Sequence, residues 1–213
     1  MPHVERTRPR GRPRGTAGAE LLEIARRLFL AHGYSGATME MVAARARISK
    51  NSLYREYPSK AALFAAVISD WVDRGHDAMR PHTAALLDAS DTAAGFQRLA
   101  RVLQAAVLSP PVLQMRTLIA SEAPRFPEVA ADYVERSWNR NLEMLADAFA
   151  VLAQRGYLGS IDAKVAAEQF TWLAIASPLN RLTLEAGAYS YGEADLDLIA
   201  REAVATFMTR FGA

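Results

Sequence analysis

The sequence predicts an all-α chain, with an N-terminal three-helix helix-turn-helix unit followed by a larger C-terminal helical domain. Three observations carry this expectation. Strand signals are nearly absent, while Ala, Leu, Arg and Glu dominate the composition. The 23 residues from Thr38 to Lys60, TMEMVAARARISKNSLYREYPSK, pack two short helices and a capped turn into one stretch. The remainder divides into helical runs at Pro and Gly. The expected boundaries are a disordered basic arm over 1–17, the helix-turn-helix unit over 18–62 and the larger domain over 63–213.

The arm carries Arg at 6, 8, 10, 12 and 14 and almost no apolar side chains, so it cannot bury enough surface to order itself. The first helix follows, with Leu21, Ala25, Leu28 and Phe29 on one face and Gly33 as its stop. Thr38 caps the second helix, whose first turn holds Glu40, where negative charge suits the dipole. Ser49 caps the third, and Ile48 and Leu53 have the spacing of a hydrophobic staple. Pro58 biases Tyr57 away from helical geometry, which limits the third helix to about two turns. Ser59 then caps a long helix through Leu63, Val67 and Trp71.

Two of these helices start with a lysine, Lys50 after Ser49 and Lys60 after Ser59. A cation at a helix N-terminus opposes the macrodipole and costs roughly 0.3–1 kcal/mol without a nearby counter-charge. One such lysine is ordinarily a solvated surface residue. Two of them, flanking a short helix rich in Asn, Ser, Tyr and Arg, fit phosphates docking on both helix ends.

Thr38, Ser49, Lys50, Leu53, Tyr54, Tyr57, Ser59 and Lys60 stand in the pattern of the TetR/AcrR family of bacterial transcriptional regulators, which this region resembles, as does the first helix AELLEIARRLFLAHGYSGAT. Position by position, the resemblance implies that Thr38, Tyr54, Tyr57 and Lys60 hold the DNA backbone while Lys50, Asn51, Ser52 and Arg55 face the major groove. Chemically, Arg55 can fork onto a guanine and Asn51 onto an adenine. Two positions depart from the pattern. Arg47 takes the turn position usually given to Gly, so either it accepts positive φ at a cost of order 1 kcal/mol or the turn differs. Glu56 stands where Tyr or His is common, and its carboxylate repels phosphate unless it accepts from a cytosine amine or turns away.

In the arm, Pro9-Arg10-Gly11-Arg12-Pro13 is similar to an AT-hook, in which Arg10 and Arg12 would lie in a narrow A·T minor groove. The plain alternative is a solvated basic tail. An import signal is not expected, since no apolar core or cleavage site follows.

Charge is divided along the chain. The net +2 splits into 12 Lys/Arg against 5 Asp/Glu over residues 1–60 and 13 against 18 over residues 61–213, so the front suits polyanions and the back does not. With 51% hydrophobic residues the chain can bury a sizeable core. No run approaches eighteen apolar residues, so no membrane partner is expected, and zero cysteines exclude disulfides and thiolate metal sites, making the cytoplasm the default location.

In the larger domain, Asp91 or Thr92 caps a helix through Phe96, Leu99, Val102 and Leu103 that ends near Ser109. Ser109-Pro110 places a cap and a first-turn proline before the next. After the rigid elbow Pro124-Arg125-Phe126-Pro127 comes a helix of nearly thirty residues through Trp138, Leu142, Leu145, Phe149 and Leu152, ended near Gly156. Another starts near Asp162 and meets Pro178, which should kink or end it. The last, from about Glu193, lines up Leu196, Ile199, Ala203, Phe207 and Phe211. LQMRTLIASEAPRFPEVAADYVE and AAEQF resemble the AefR-like branch of the same family, which implies an effector domain dimerising through its last two helices around a pocket among the middle ones.

Met115, Trp138, Leu145 and Trp172 are core fillers by default and pocket walls otherwise. The polar residues Arg116, Asn141 and Gln169 on otherwise apolar helices are candidates to orient a ligand, and equally to be exposed or to meet across a dimer.

Against an enzyme, there is no phosphate-binding Gly loop, no G-x-S-x-G elbow and no paired-carboxylate pattern. His76 and His82 lack the i, i+4 spacing of a helical metal pair, and His32 serves as a dipole partner before Gly33. No cofactor or metal is expected. The leading expectation is a dimeric repressor that binds a palindromic operator in double-stranded DNA and is released by a small apolar or amphipathic effector. The alternatives are a ligand-independent architectural DNA binder and an all-helical enzyme with a basic tail.

Overall fold

The computed structural model describes residues 14–75, 77–185 and 188–213. Every described element is a helix, apart from an isolated antiparallel bridge between Leu158 and Gly212. The chain divides into two compact units that meet between Trp71 and Val72.

In the first unit, α1 (Arg14–Gly36), α2 (Met39–Ala46) and α3 (Lys50–Glu56) precede α4 (Lys60–Gly75), within which the division falls. Helix α1 begins at Arg14 and so takes in residues 14–17, which the sequence assigns to the arm. No proline follows Pro13 until Pro58, and water can satisfy the first-turn N–H groups, which have no partner within the helix. Helical backbone breaks at Gly33 (φ 66°, ψ 174°), a conformation for which glycine is needed, and one further turn leads to Gly36. Leu21, Ala25 and Phe29 are buried, with Leu28 half-buried beside them. The Phe29 and Tyr34 rings each meet the Phe64 ring nearly edge-on, at 5.3 and 5.2 Å between centroids.

The second unit holds α5 (Arg80–Leu87), α6 (Thr92–Val107), α7 (Pro110–Glu122), α8 (Pro127–Tyr133), a π-helical segment (Val134–Asn139), α9 (Arg140–Gln154), α10 (Ala163–Leu184) and α11 (Glu193–Phe211). Its centre is four fully buried rings, Phe96, Phe149, Phe170 and Phe207, one each from α6, α9, α10 and α11. Their centroids lie 5.0 to 5.7 Å apart, mostly edge-to-face or tilted.

Four local expectations are corrected here. Helix α5 is additional to the helices expected from the sequence; its Pro81 sits in the first helical turn, where a missing N–H costs nothing. Asp91 caps α6 by accepting from the Ala94 N–H at 3.0 Å, but Ser109 makes no such bond at α7. Pro110 and Pro111 remove the first N–H groups of that helix, and the Ser109 hydroxyl donates instead to the Ala106 carbonyl at 2.8 Å. The long helix runs from Pro127 to Gln154 as expected but passes through the π segment. Of the kink or stop expected at Pro178, the stop is excluded, since α10 continues to Leu184. Proline at 178 deprives the Ala174 carbonyl of its helical donor, and the fully buried Gln104 of α6 supplies one, its Nε2 donating to that oxygen at 3.0 Å.

Candidate nucleic-acid interface

Two capped turns position α3. The Thr38 hydroxyl accepts from the Met41 N–H at 3.2 Å, and the Ser49 hydroxyl accepts from the Ser52 N–H at 3.1 Å. Between them Arg47 adopts the left-handed conformation (φ 55°, ψ 42°), so a non-glycine residue tolerates positive φ here. The Arg47 N–H donates to the Ala44 carbonyl and the Ile48 N–H to the Ala43 carbonyl, at 3.2 and 3.0 Å, which is a Schellman closure of α2. The direction of α3 is set by this closure.

Leu53 is fully buried and anchors α3 to the unit, whereas Lys50, Asn51, Tyr54 and Arg55 are exposed and Ser52 is half-buried. A seven-residue helix with one apolar anchor and an outward face of amide, guanidinium, ammonium and phenol can lie in a groove and offer donors to base edges. Thr38 is exposed, and Tyr57 is half-buried at the extended end of α3. Burial, and then the charges of Glu56 and Asp70, push the Tyr57 phenol up, so it remains a neutral donor.

Both helix-start lysines have partners within the chain. Lys50 pairs with Glu40 at 2.9 Å, and this ammonium holds the exposed Glu40 carboxylate below its usual range. The counter-charge that the sequence left open for Lys50 is therefore Glu40. The Lys60 Nζ donates to the carbonyls of Tyr34 and Ala37 at 2.8 Å each and of Ser35 at 3.3 Å, and lies 4.5 Å from the centroid of the Tyr34 ring. Lys60 thus closes the turn between α1 and α2 and has no N–H left over for a phosphate. Arg10 and Arg12 lie outside the described residues, as does His76. Among the described residues no group of three or more His, Asp or Glu is placed to hold a metal ion.

The expected ligand-facing residues separate in the second unit. Met115 and Leu145 are fully buried, Leu145 within the main apolar cluster. Gln169 is exposed, and the Asn141 amide donates to the Ser137 carbonyl of its own helical run at 2.8 Å. Arg116, Trp138 and Trp172 do come together: the guanidinium lies 5.6 Å from the Trp138 ring centroid, and the two indoles are 5.1 Å apart. Sequence reading missed Tyr133, Ser137 and Gln104. The first two join this cluster through the π segment, which leaves no periodic mark, and Gln104 was one polar residue among apolar ones.

The chain matches known proteins in both units. Residues 21–67 match the family model for bacterial regulatory proteins of the tetR family, and residues 94–213 match that for the C-terminal domain of AefR-like transcriptional repressors. Uncharacterized HTH-type transcriptional regulators of Mycobacterium tuberculosis and Mycobacterium bovis are 42% identical over 69 residues, 32% of this chain; the match spans about a third of those relatives (33%). A crystal structure from Mesorhizobium loti, described as a TetR-family transcriptional regulator, superposes with a TM-score of 0.88 at 28% identity, covering 95% of this chain and 100% of that one. The flavonoid-responsive regulator FrrA superposes with a TM-score of 0.72 at 25% identity, covering 93% of this chain and 98% of that one. Among the described residues no single helix is long and apolar enough to cross a membrane.

Proposed function

The chain belongs to the tetR family of bacterial regulatory proteins, with an AefR-like C-terminal domain, and is a DNA-binding transcriptional regulator; on that premise we propose that it is a ligand-released repressor acting as a two-fold dimer on a palindromic operator. The observation that carries this reading is the exposed polar face of α3, anchored by Leu53 and aimed by two capped turns. Arg55 and Asn51 read base edges, Lys50 and Ser52 flank them, and Thr38, Tyr54 and Tyr57 hold the phosphate rails. Lys60 contributes charge and a rigid α1–α2 turn to that grip. Arg10 and Arg12 extend it into an adjacent minor groove.

Dimerisation runs through α10 and α11, where Leu173, Leu184 and Leu198 are exposed at 40, 75 and 51%. Leu173 and Leu184 stand eleven residues apart, three turns on one side of α10. Two half-sites one helical turn apart need recognition helices about 34–36 Å apart, or a multiple of it. Helix α4 starts in the first unit and ends in the second, so a ligand that prefers a displaced α4 alters that spacing and shifts the population, with a coupling of typically about 1–3 kcal/mol. A structural relative described as flavonoid-responsive supports a small organic effector. Footprinting with and without candidate effectors tests the reading: a discrete palindromic footprint that dissolves on ligand addition supports it, and uniform A·T-rich coverage indifferent to ligands points to an architectural protein instead.

A further inference from the structure

Where the long helix of the second unit passes through Val134–Asn139, its turn widens to an i to i+5 repeat. Tyr133, just before the segment, and Trp138 within it are five residues apart, so the wide turn brings them to one side. Arg116 of α7 faces both, its guanidinium 5.6 Å from the Trp138 ring centroid and within hydrogen-bonding reach of the Tyr133 hydroxyl. The Ser137 hydroxyl donates to the backbone carbonyl of Tyr133. Trp172 of α10 closes the group, 39% exposed and tilted by 41° against Trp138 at 5.1 Å.

Among the described residues no carboxylate pairs with the guanidinium of this cluster. Elsewhere in the second unit Arg80, Arg101, Arg136, Arg140 and Arg181 pair with carboxylates. Among the described residues Arg116 is half-buried, makes no ion pair, and meets the Trp138 ring and the Tyr133 phenol. Burial pushes the Tyr133 phenol up, which keeps its proton in place as a donor. A guanidinium and a phenol O–H converging beside two part-exposed indoles present two strong donors for an anion and flat apolar faces for a ring.

We propose that Arg116, Tyr133, Trp138 and Trp172 form a binding site for a small aromatic carboxylate, its carboxylate on Arg116 and the Tyr133 hydroxyl and its ring against the two indoles. The proposal rests on the ligand-responsive reading above and names the chemical class of that ligand. Arg116 and Tyr133 select the anion, and the tryptophans select the ring.

The test uses the full chain, with 2-naphthoate, its uncharged amide 2-naphthamide, and cyclohexanecarboxylate as probes in titration calorimetry. The acid should bind on the order of tenfold or more tightly than the amide, since the amide forfeits a charge-assisted pair. Arg116→Gln should abolish that preference, and Arg116→Lys should restore part of it. Cyclohexanecarboxylate should bind more weakly than naphthoate in wild type and equally to it in Trp172→Ala. Melting temperatures of each variant show whether the domain is intact, and a second acid-selective loss in Tyr133→Phe stands in if Arg116→Gln does not fold. Equal affinity for acid and amide, an acid preference that survives Arg116→Gln, or no binding of any probe overturns the site. Operator affinity measured alongside separates the two claims. Naphthoate binding that leaves operator affinity unchanged refutes regulation through this site, whereas release by a neutral compound that Arg116→Gln does not affect refutes the site and leaves regulation standing.

Discussion

Lys60 shows how one side chain can brace the turn that leads into α2. Its ammonium gives its hydrogen bonds to three carbonyls at the α1–α2 turn, and bonds from a charged donor are worth about 1.5–3 kcal/mol each before solvent screening. Lys60→Ala should therefore lower unfolding stability by about 2 kcal/mol in urea titrations and weaken operator and random DNA alike, with the slope of the salt dependence nearly unchanged. Arg55→Ala should leave stability within about 0.5 kcal/mol and chiefly erode discrimination between operator and random sequence. Equal losses of discrimination in both would contradict the assigned roles. A third residue answers to pH. Hydrogen bonding first to Arg26 and then to Arg27 lowers the Glu23 carboxyl from 4.5 to about 2. Because the folded value is depressed, this stabilisation is complete above about 4.5 and drains as pH falls toward 2. Glu23→Gln should melt earlier than wild type at neutral pH, and the gap should narrow on acidification through that window. Caps such as Thr38, Ser49 and Asp91 were legible in sequence because each acts on N–H groups three residues away. The partners of Lys50 and Lys60 were not, since Glu40 and the Tyr34–Ala37 carbonyls lie ten to twenty-six positions off and only folding brings them near.

Among elements, α6 and α10 depend on each other through one missing N–H. Pro178 exposes the Ala174 carbonyl and Gln104 answers it, while the Gln104 oxygen accepts from Arg101 at 2.9 Å. Arg101 also pairs with Glu193 and Asp197 of α11, so three helices share this network. Gln104→Leu should cost about 1–3 kcal/mol by stranding a buried carbonyl. In a Pro178→Ala background, where residue 178 regains its N–H, the same change should cost clearly less, and a double-mutant cycle by urea unfolding reads the difference. Additive losses would mean that Gln104 acts by packing alone. Helix identity was mostly readable from apolar spacing, as in α9 and α11. Helix α5 was hidden because a proline that starts a helix and one that breaks it look alike without their neighbours. The π segment was hidden because one widened turn barely disturbs a repeat of Trp138, Leu142, Leu145 and Phe149.

At the scale of the whole chain, charge and helix direction divide the labour. Residues 1–60 carry 12 basic against 5 acidic side chains, so contact with a polyanion belongs to the front, and binding should weaken steeply with salt. Removal of residues 1–15 should reduce affinity most on sites flanked by A·T tracts, measured by fluorescence anisotropy on paired duplexes; unchanged affinity would make the arm an inert tail. The two-part architecture was legible because the front motif is short and closely capped and the back is uniformly helical. The proposed effector site was legible only in part: Arg116, Trp138 and Trp172 stood out as polar or aromatic residues, but only the π turn and α7 bring them to Tyr133. The most direct measurement is selection of bound duplexes from random DNA by wild type and by Arg55→Ala. The expected result is a palindrome with half-sites one or more helical turns apart, whose base preference relaxes at specific positions in the variant. No enriched sequence, or an identical palindrome from both proteins, would contradict a recognition helix lying in the groove.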